Sequence, residues 1–306
     1  SARQRAGRCG REAPGIAVRL YSEEDFLSRP EFTEPEILRS NLTAVILQMQ
    51  KLRLGDPLQF PFLDAPDRRL VSDAWRILEE LGACSAQRLT TVGKHLANLP
   101  IDPRPARMVL AAGERNCLRE VSIIAAAISA QDPRERPADK QQAAAQAHAI
   151  WRDEQSDFIS LLNLWNWYEE QRQALSDNQL RRLCEKQFLN WNRMREWRDL
   201  HRQLNLALKP MGLQKNQQAG DYESIHKAIV TGLFTQIGRL EEKGEYIGCR
   251  DRRFRLFPGS SLKGKPKWIV ATEIVETSRV YARTVAKIEP QWLMGVNDAL
   301  LKRQYF

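Results

Sequence analysis

Arg5, Arg8 and Arg11 recur at every third residue of the opening run SARQRAGRCGRE, with Gly7 and Gly10 between them. On a helical turn the three guanidinium groups share a face, and the glycines let backbone approach a bulky anion closely. Guanidinium stays charged and binds phosphate bidentately, which is what stabilising a transferring phosphoryl group requires. A solvated basic arm has the same composition, and spacing alone leaves both readings open. A second group of residues stands far along the chain, in FPGSSLKGKPKW. Lys263, Lys265 and Lys267 alternate, so an extended segment projects them to one side. Gly259, Ser260 and Ser261 offer small hydroxyls and backbone N–H groups just before them. The set suits contact with RNA phosphates and sugars without reading bases; a solvated hairpin tip is the competing reading. Trp268, beside Lys267, is the candidate for stacking on a base. Arg250, Arg252, Arg253 and Arg255 in RDRRFR either extend this path or form a solvated strand face.

Other residue types carry less. Trp165, Trp167, Trp191 and Trp197 stand among leucines at helical spacing, which reads first as core and second as stacking platforms. His95, His148, His201 and His226 have no partner at catalytic or ligand spacing. The five cysteines form no CxxC pair, so neither a zinc site nor a disulfide framework is expected, and the chemistry suits a reducing cytoplasm. The acidic runs EEDFLSRPE and EEKGE read as solvated faces.

The elements that must position these residues follow from periodicity. GIAVRLYS alternates and is expected as a strand, with SEEDFLSRPEF a linker after it. TEPEILRSNLTAVILQMQKLRLG reads as a helix capped by Thr33, with Pro35 and Glu36 in its first turn and Gly55 at its end. Its expected stripe is Leu38, Leu42, Val45, Met49 and Leu52. DRRLVSDAWRILEELGA is a second helix with Leu70, Ala74, Ile77, Leu78 and Leu81 inward, and LTTVGKHLANLP a third. Residues 101–219 read as almost wholly helical, broken at DPRERPADKQQ, with Ser or Asn caps opening SDFISLL, SDNQLRR and NRMREW. YESIHKAIVTGLFTQIGRLEEKG is one more helix. The period then changes to two in EYIGCR, RFRLFPG, KPKWIVATEIVET and VYARTVAKIE, which predicts a small antiparallel barrel or sheet, with an oligonucleotide-binding fold the natural candidate. PQWLMGVNDALLKRQYF returns to helix.

QRAGRCGR, residues 4–11, fills every fixed position of QRxGRxGR, motif VI of the superfamily 2 DEAH-box helicases. LTTVGKHLANLPIDPRPARMVL resembles the family's junction between winged helix and ratchet, and GSSLKGKPKWIVATEIVETS its OB-fold segment. The long run from SDFISLL to WRDL, with FPGSSL and EIVETSR, is more similar to a bacterial branch of the family than to the eukaryotic splicing helicases. The resemblance implies a mainly α chain with a C-terminal β-barrel. Residues 1–20 would be a remnant of the second RecA-like domain, 21–100 a winged helix, 101–220 a ratchet-like bundle and 221–306 an OB fold with a closing helix. It also implies that Gln4 holds the attacking water or the γ-phosphate. Arg8 and Arg11 would be arginine fingers, and Arg5 would be structural or contact neighbouring motifs. ATP and Mg²⁺ would serve the intact enzyme. None is expected on this chain, which has no GxxxxGK[ST] and no DEAH run and so reads as the C-terminal half of a helicase, inactive alone.

The composition agrees with a polyanionic partner. Over 306 residues, 47 Lys and Arg against 38 Asp and Glu give a formal net charge of +9. No apolar run reaches the length of a membrane span. The expected partners are single-stranded RNA, or an RNA duplex with an overhang, and the chain's own RecA domains. The expected state is a cytoplasmic monomer, without a membrane partner and without a metal site of its own. Two other readings remain: a non-enzymatic RNA-binding adaptor, and a winged-helix DNA-binding regulator reading duplex through the helix around Arg68 to Leu81. That helix has only Arg68, Arg69 and Arg76 as basic residues, which ranks the regulator low.

Overall fold

The computed structural model describes residues 2–10, 12–29, 42–241, 244–277, 279–294 and 296. Helices α1 (Ala2–Ala6) and α2 (Glu23–Ser28) come first. GIAVRLYS between them is not the expected strand. It has no regular structure, and Ile16, Val18 and Leu20 are 90%, 77% and 96% exposed. The alternation is present, but no described strand runs alongside it to complete a ladder, and a single strand cannot satisfy its own backbone. Nor is all of SEEDFLSRPEF linker. Ser22 caps α2 by accepting from the Asp25 N–H (3.1 Å), and three acidic residues occupy the first turn, where the helix dipole favours them.

The next expected helix is described as α3 (Leu42–Leu52); Thr33, Pro35, Glu36 and Leu38 lie outside the described residues. Its buried face is Leu42, Ile46, Leu47 and Met49, and Leu52, expected inward, is exposed. α4 (Arg68–Glu80) is capped by Asp67 through the Arg69 N–H. It turns Val71, Ala74, Trp75 and Leu78 inward, and Leu70, expected there, is 44% exposed. The observed face takes Val71 and Trp75 in place of the expected Leu70 and Ile77. The face that buries the indole of Trp75 removes the larger apolar area from water and prevails. A two-residue hairpin, β1 (Cys84–Ser85) with β2 (Arg88–Leu89), leads into α5 (Thr91–Leu96), which Thr90 caps.

Seven helices follow among the described residues: α6 (Pro103–Gly113), α7 (Leu118–Ser129), α8 (Gln141–His148), α9 (Asp157–Ala174), α10 (Asp177–Lys186), α11 (Trp191–Leu208) and α12 (Tyr222–Leu233). α8 has no counterpart in the periodicity, because QQAAAQAH buries only Ala144 and His148. Ser156 caps α9 and Ser176 with Gln179 forms a capping box on α10. Asn190 caps α11, two residues ahead of Asn192, which opens the expected helix. α6 and α7 are alanine-rich and pack closely, with Ala106, Ala111, Ala112, Ala125 and Ala126 fully buried. Trp165 and Trp197 are core: Trp197 is fully buried and its indole N–H donates to the Ile123 carbonyl (3.0 Å).

The barrel is closed, in the order β3 (Ile237–Leu240), β4 (Tyr246–Gly248), β5 (Arg253–Leu256), β7 (Val280–Lys287), β6 (Trp268–Glu276). β5 and β7 run parallel; the other neighbours are antiparallel. β3 lies inside the run expected to be helical, which stops at Leu233 and passes through a 3₁₀ turn at Phe234–Gln236. Leu233, Ile237 and Leu240 keep a helical spacing, so the periodicity does not report the change. Gly238 does. A Cβ there would stand 2.5 Å from Phe254 Cζ, so the close packing that shuts the barrel needs glycine. After β7 comes a 3₁₀ turn, Pro290–Leu293; most of the expected closing helix lies outside the described residues. One core runs from Leu42, Ile46 and Leu78 through Val109, Ile124 and Ile229 to Val270, Ala286 and Leu293, tying helices and barrel together.

Candidate nucleic-acid interface

The lysine-bearing segment is the loop that joins β5 to β6. It closes with the Ser260 N–H donating to the Phe257 carbonyl (2.9 Å). Gly259 packs close here: a Cβ would lie 2.6 Å from Arg136 Nη1 and 2.7 Å from the Phe257 ring, so either side chain would have to shift. The loop does not hang free. Asp157, first residue of α9 and only 6% exposed, accepts from the Ser260 hydroxyl (2.8 Å), the Ser261 N–H (2.7 Å) and the Val285 N–H of β7 (2.9 Å). The Ser260 oxygen in turn accepts from the Leu262 N–H (3.2 Å). Two further backbone bonds fasten the same seam: Lys263 N–H to the Glu154 carbonyl (2.9 Å) and Lys287 N–H to the Gln155 carbonyl (2.8 Å).

Behind the seam lies a buried polar group. His226 Nδ1 is 2.7 Å from the Tyr222 carbonyl and therefore carries the proton; Nε2 accepts from the Ser156 hydroxyl (2.8 Å). The Ser156 oxygen accepts from the Phe158 and Ile159 N–H groups at the start of α9. Tyr222 stacks on His226 (3.8 Å between ring centroids), and its hydroxyl reaches the Gln155 and Lys287 carbonyls (3.1 and 2.9 Å). Burial pushes the His226 imidazole down to about 4, against the smaller upward pull of the Tyr222 carbonyl. Ser156 and His226 have the spacing of a nucleophile and its base. Both are fully buried and the serine is a helix cap, so no substrate reaches them.

Ser260 and Ser261 are thus engaged inside the molecule through the hydroxyl and one N–H. Lys263, Lys265 and Lys267 are exposed. Lys263 has only a loose pair with Glu154 (3.4 Å), both side chains open to water, which holds it weakly. Lys265 lies beside Gly244, and Lys267 anchors the base of the loop through its carbonyl, which accepts from the Leu240 N–H (2.8 Å). Trp268 is partly buried and packs on the main core rather than standing free. In the second basic run, Arg255 is held by Glu245 (2.8 Å), Arg252 donates to the Ile274 carbonyl (3.2 Å), and Arg253 is exposed. Gln4 and Arg8 are exposed on and just after α1, which buries no residue; Arg11 lies outside the described residues. Nothing gathers Gln4 and Arg8 with the barrel loop.

Cations missed in the sequence border the same loop. Arg136 reaches Gly259, as above. Arg134, paired with Asp132 (2.8 Å), and Arg283, over the Phe257 ring (4.9 Å), line a cleft of about 460 Å³ between the helices and the barrel. Arg283 Nε is buried there without a partner. The signal was the basic run DPRERP, read only as a break between helices. Among the described residues no group of His, Cys, Asp and Glu is placed to hold a metal ion. The surface offers cations beside a loop fastened to the helices, which suits holding a polyanion.

Residues 225–299 match the oligonucleotide/oligosaccharide-binding (OB)-fold family model, and residues 102–161 the ratchet-like helicase associated domain (HA2). The whole chain aligns at 52% identity with the ATP-dependent RNA helicase HrpA of Escherichia coli (strain K12). The chain is HrpA-like. The HrpA homolog of Haemophilus influenzae is 50% identical over the whole chain. The probable ATP-dependent RNA helicase DHX35 of Homo sapiens is 32% identical over 96% of it. The HrpA-like chain spans 24% of the length of each of the first two relatives and 42% of the third. The barrel and the α6–α7 helices of this HrpA-like chain thus fall within the two matched family regions.

Proposed function

We propose that the chain is the part of a DEAH-box ATP-dependent RNA helicase that holds and guides single-stranded RNA. The observation that carries this reading is the match of the whole chain to part of HrpA, together with a barrel loop whose lysines face solvent while its serines are locked inward. In this reading residues 1–20 are a remnant of the second RecA-like domain, 21–100 a winged helix, 101–220 the ratchet-like bundle and 221–306 the OB fold. α3, α4, α5 and the small hairpin supply the elements a winged helix needs. GIAVRLYS would become a strand only where a RecA sheet lies beside it. RNA is held through phosphates and sugars by Lys263, Lys265, Lys267 and the neighbouring arginines, with Ser260 and Ser261 setting the loop's shape.

ATP with Mg²⁺ is the cofactor of the intact enzyme in this reading. The residues present do not fit it by themselves. The chain has no GxxxxGK[ST] loop and no DEAH carboxylates, and Gln4 and Arg8 stand exposed without a phosphate cradle. Gln4, Arg8 and Arg11 are assigned one wall of a nucleotide site, and no chemical step is placed on this chain.

The purified chain is expected to bind a single-stranded RNA at least about tenfold more tightly than a blunt duplex of the same sequence, with affinity falling steeply as salt rises. It is expected to show no RNA-stimulated ATP turnover. A gel-shift and filter-binding series with a phosphate-release assay checks both. Preference for the duplex would favour the DNA-regulator reading, and turnover would refute the assignment of the nucleotide site.

A further inference from the structure

A second, larger cleft, of about 910 Å³, opens among α7, α9, α11 and the 209–220 segment, and it shares no lining residue with the cleft beside the barrel. Nothing in the RNA-holding reading uses it. Its inner wall is apolar, made by Ile123, Leu162 and Trp165. Leu206, on the same wall, is 53% exposed, an apolar side chain left open in a cleft. Gly220 lets the 209–220 segment close on the helices: a Cβ there would stand 2.6 Å from Cys117 Cβ.

The charges around this wall divide into two kinds. Two carboxylates are taken. Glu120 accepts from Arg119 Nη2 (2.7 Å) and Asn216 Nδ2 (2.8 Å), and Glu169 from Arg198 (2.6 Å) and Arg172 (2.9 Å). Asp199 has only the exposed Arg202, at 3.5 Å. Lys209 and Lys215, both exposed, form no ion pair with any described residue. The cleft thus carries two uncommitted ammonium groups beside an apolar wall. A polar acceptor completes it. The Ser122 hydroxyl gives its proton to the Arg119 carbonyl (2.9 Å), so His201 Nε2 donates to the Ser122 oxygen (3.3 Å). His201 Nδ1 is left as an acceptor, with the ring set edge-on to Trp165 (4.8 Å between centroids).

A flat ring with hydrogen-bond donors, joined to a phosphate, matches apolar wall, acceptor and ammonium groups together. We propose that this cleft binds a nucleoside phosphate, with its base against Leu162 and Leu206 and its phosphate on Lys209 and Lys215. The ligand is either a free mononucleotide or the phosphorylated end of an RNA strand, which present the same chemistry. Inorganic phosphate lacks the ring, and a nucleoside lacks the anion, so neither alone fills the site.

Isothermal titration of the purified chain tests this with the four ribonucleoside 5′-monophosphates, adenosine, inorganic phosphate, and RNA trinucleotides phosphorylated at either end. At least one monophosphate is expected to bind in the submillimolar range, and adenosine and phosphate at least about tenfold more weakly. Lys209→Gln with Lys215→Gln is expected to weaken the monophosphate about tenfold or more, with an unchanged melting temperature because both side chains are exposed. L206S is expected to weaken it several-fold. Substituting Lys263, Lys265 and Lys267 should leave this binding as it was, which separates the cleft from the barrel loop. Tighter binding of a trinucleotide assigns the cleft to an RNA end, and tighter binding of the mononucleotide to a free nucleotide. The proposal is overturned if no monophosphate binds in that range, if phosphate alone binds as well, or if the double lysine variant binds like the parent.

Discussion

Replacing Asp157 with alanine should destabilise the chain by about 4 kcal/mol and release the 257–267 loop from the helices. The carboxylate is nearly buried and accepts three donors, two of them backbone N–H groups from separate parts of the barrel. Alanine removes the acceptor and leaves the Ser261 and Val285 N–H groups without it, at a cost of roughly 1–3 kcal/mol for each buried group. S260A should cost less, about 1–2 kcal/mol, because it deletes one donor to the carboxylate and the acceptor of the part-buried Leu262 N–H but leaves Asp157 two other donors. Urea unfolding gives the energies, and amide exchange at Ser261 and Val285 reports the release. A change under about 1 kcal/mol in the alanine variant would mean that Asp157 does not hold the seam. In the proposed reading the consequence follows directly: lysines on a released loop are no longer held in place, and ordering them on RNA costs entropy that the locked loop has already spent.

Acid should weaken the same region before it protonates ordinary carboxylates. Burial holds His226 down to about 4, and burial with the neighbouring Lys215 holds His201 down to about 4. In the unfolded chain both imidazoles take up a proton near pH 6.5. The unfolded state therefore binds more protons between about pH 6.5 and 4, and stability falls as the pH drops through that window. For His226, fully buried, the full effect is roughly 3 kcal/mol; His201, partly exposed, contributes less with the same sign. Protonating His226 would also break the hydrogen bond its Nε2 accepts from Ser156. Urea midpoints at pH 7 and 4.5 should differ clearly in the parent chain and by much less in a His226→Asn, His201→Asn variant. Equal losses in parent and variant would place the acid sensitivity elsewhere.

Much of this architecture was legible in the sequence, and the exceptions share a cause. Helices opened by a capping residue, such as α9 and α10, fall where Ser156 and Ser176 put them. The four expected strands of the barrel are β4 to β7. β3 stayed hidden because Ile237 and Leu240 prolong a helical spacing, and only the barrel's closure at Gly238 makes them a strand. α8 was hidden for the opposite reason, having no stripe to show. In α4 the expected face gave way to the one that buries the bulk of Trp75. GIAVRLYS has the period of a strand but no neighbour to pair with among the described residues.

The candidate site divides the same way. Lysine alternation marks Lys263, Lys265 and Lys267 as exposed cations without any knowledge of the fold. Nothing local says that Ser260 and Ser261 bind a carboxylate about one hundred residues away, because that contact exists only once α9 docks on the barrel. Arg134, Arg136 and Arg283 come together by the same docking. Charges on a single segment can be read from its sequence; a surface assembled from three segments cannot.

The claim that the barrel loop holds single-stranded RNA is tested most directly by the salt dependence of binding. Each lysine that neutralises a phosphate of a single strand adds about 0.7 to the slope of log affinity against log salt. With Lys263, Lys265 and Lys267 all changed to glutamine, the slope should fall in magnitude by about 2, with the melting temperature unchanged. A slope equal to that of the parent chain would contradict the account and move the RNA path off this loop.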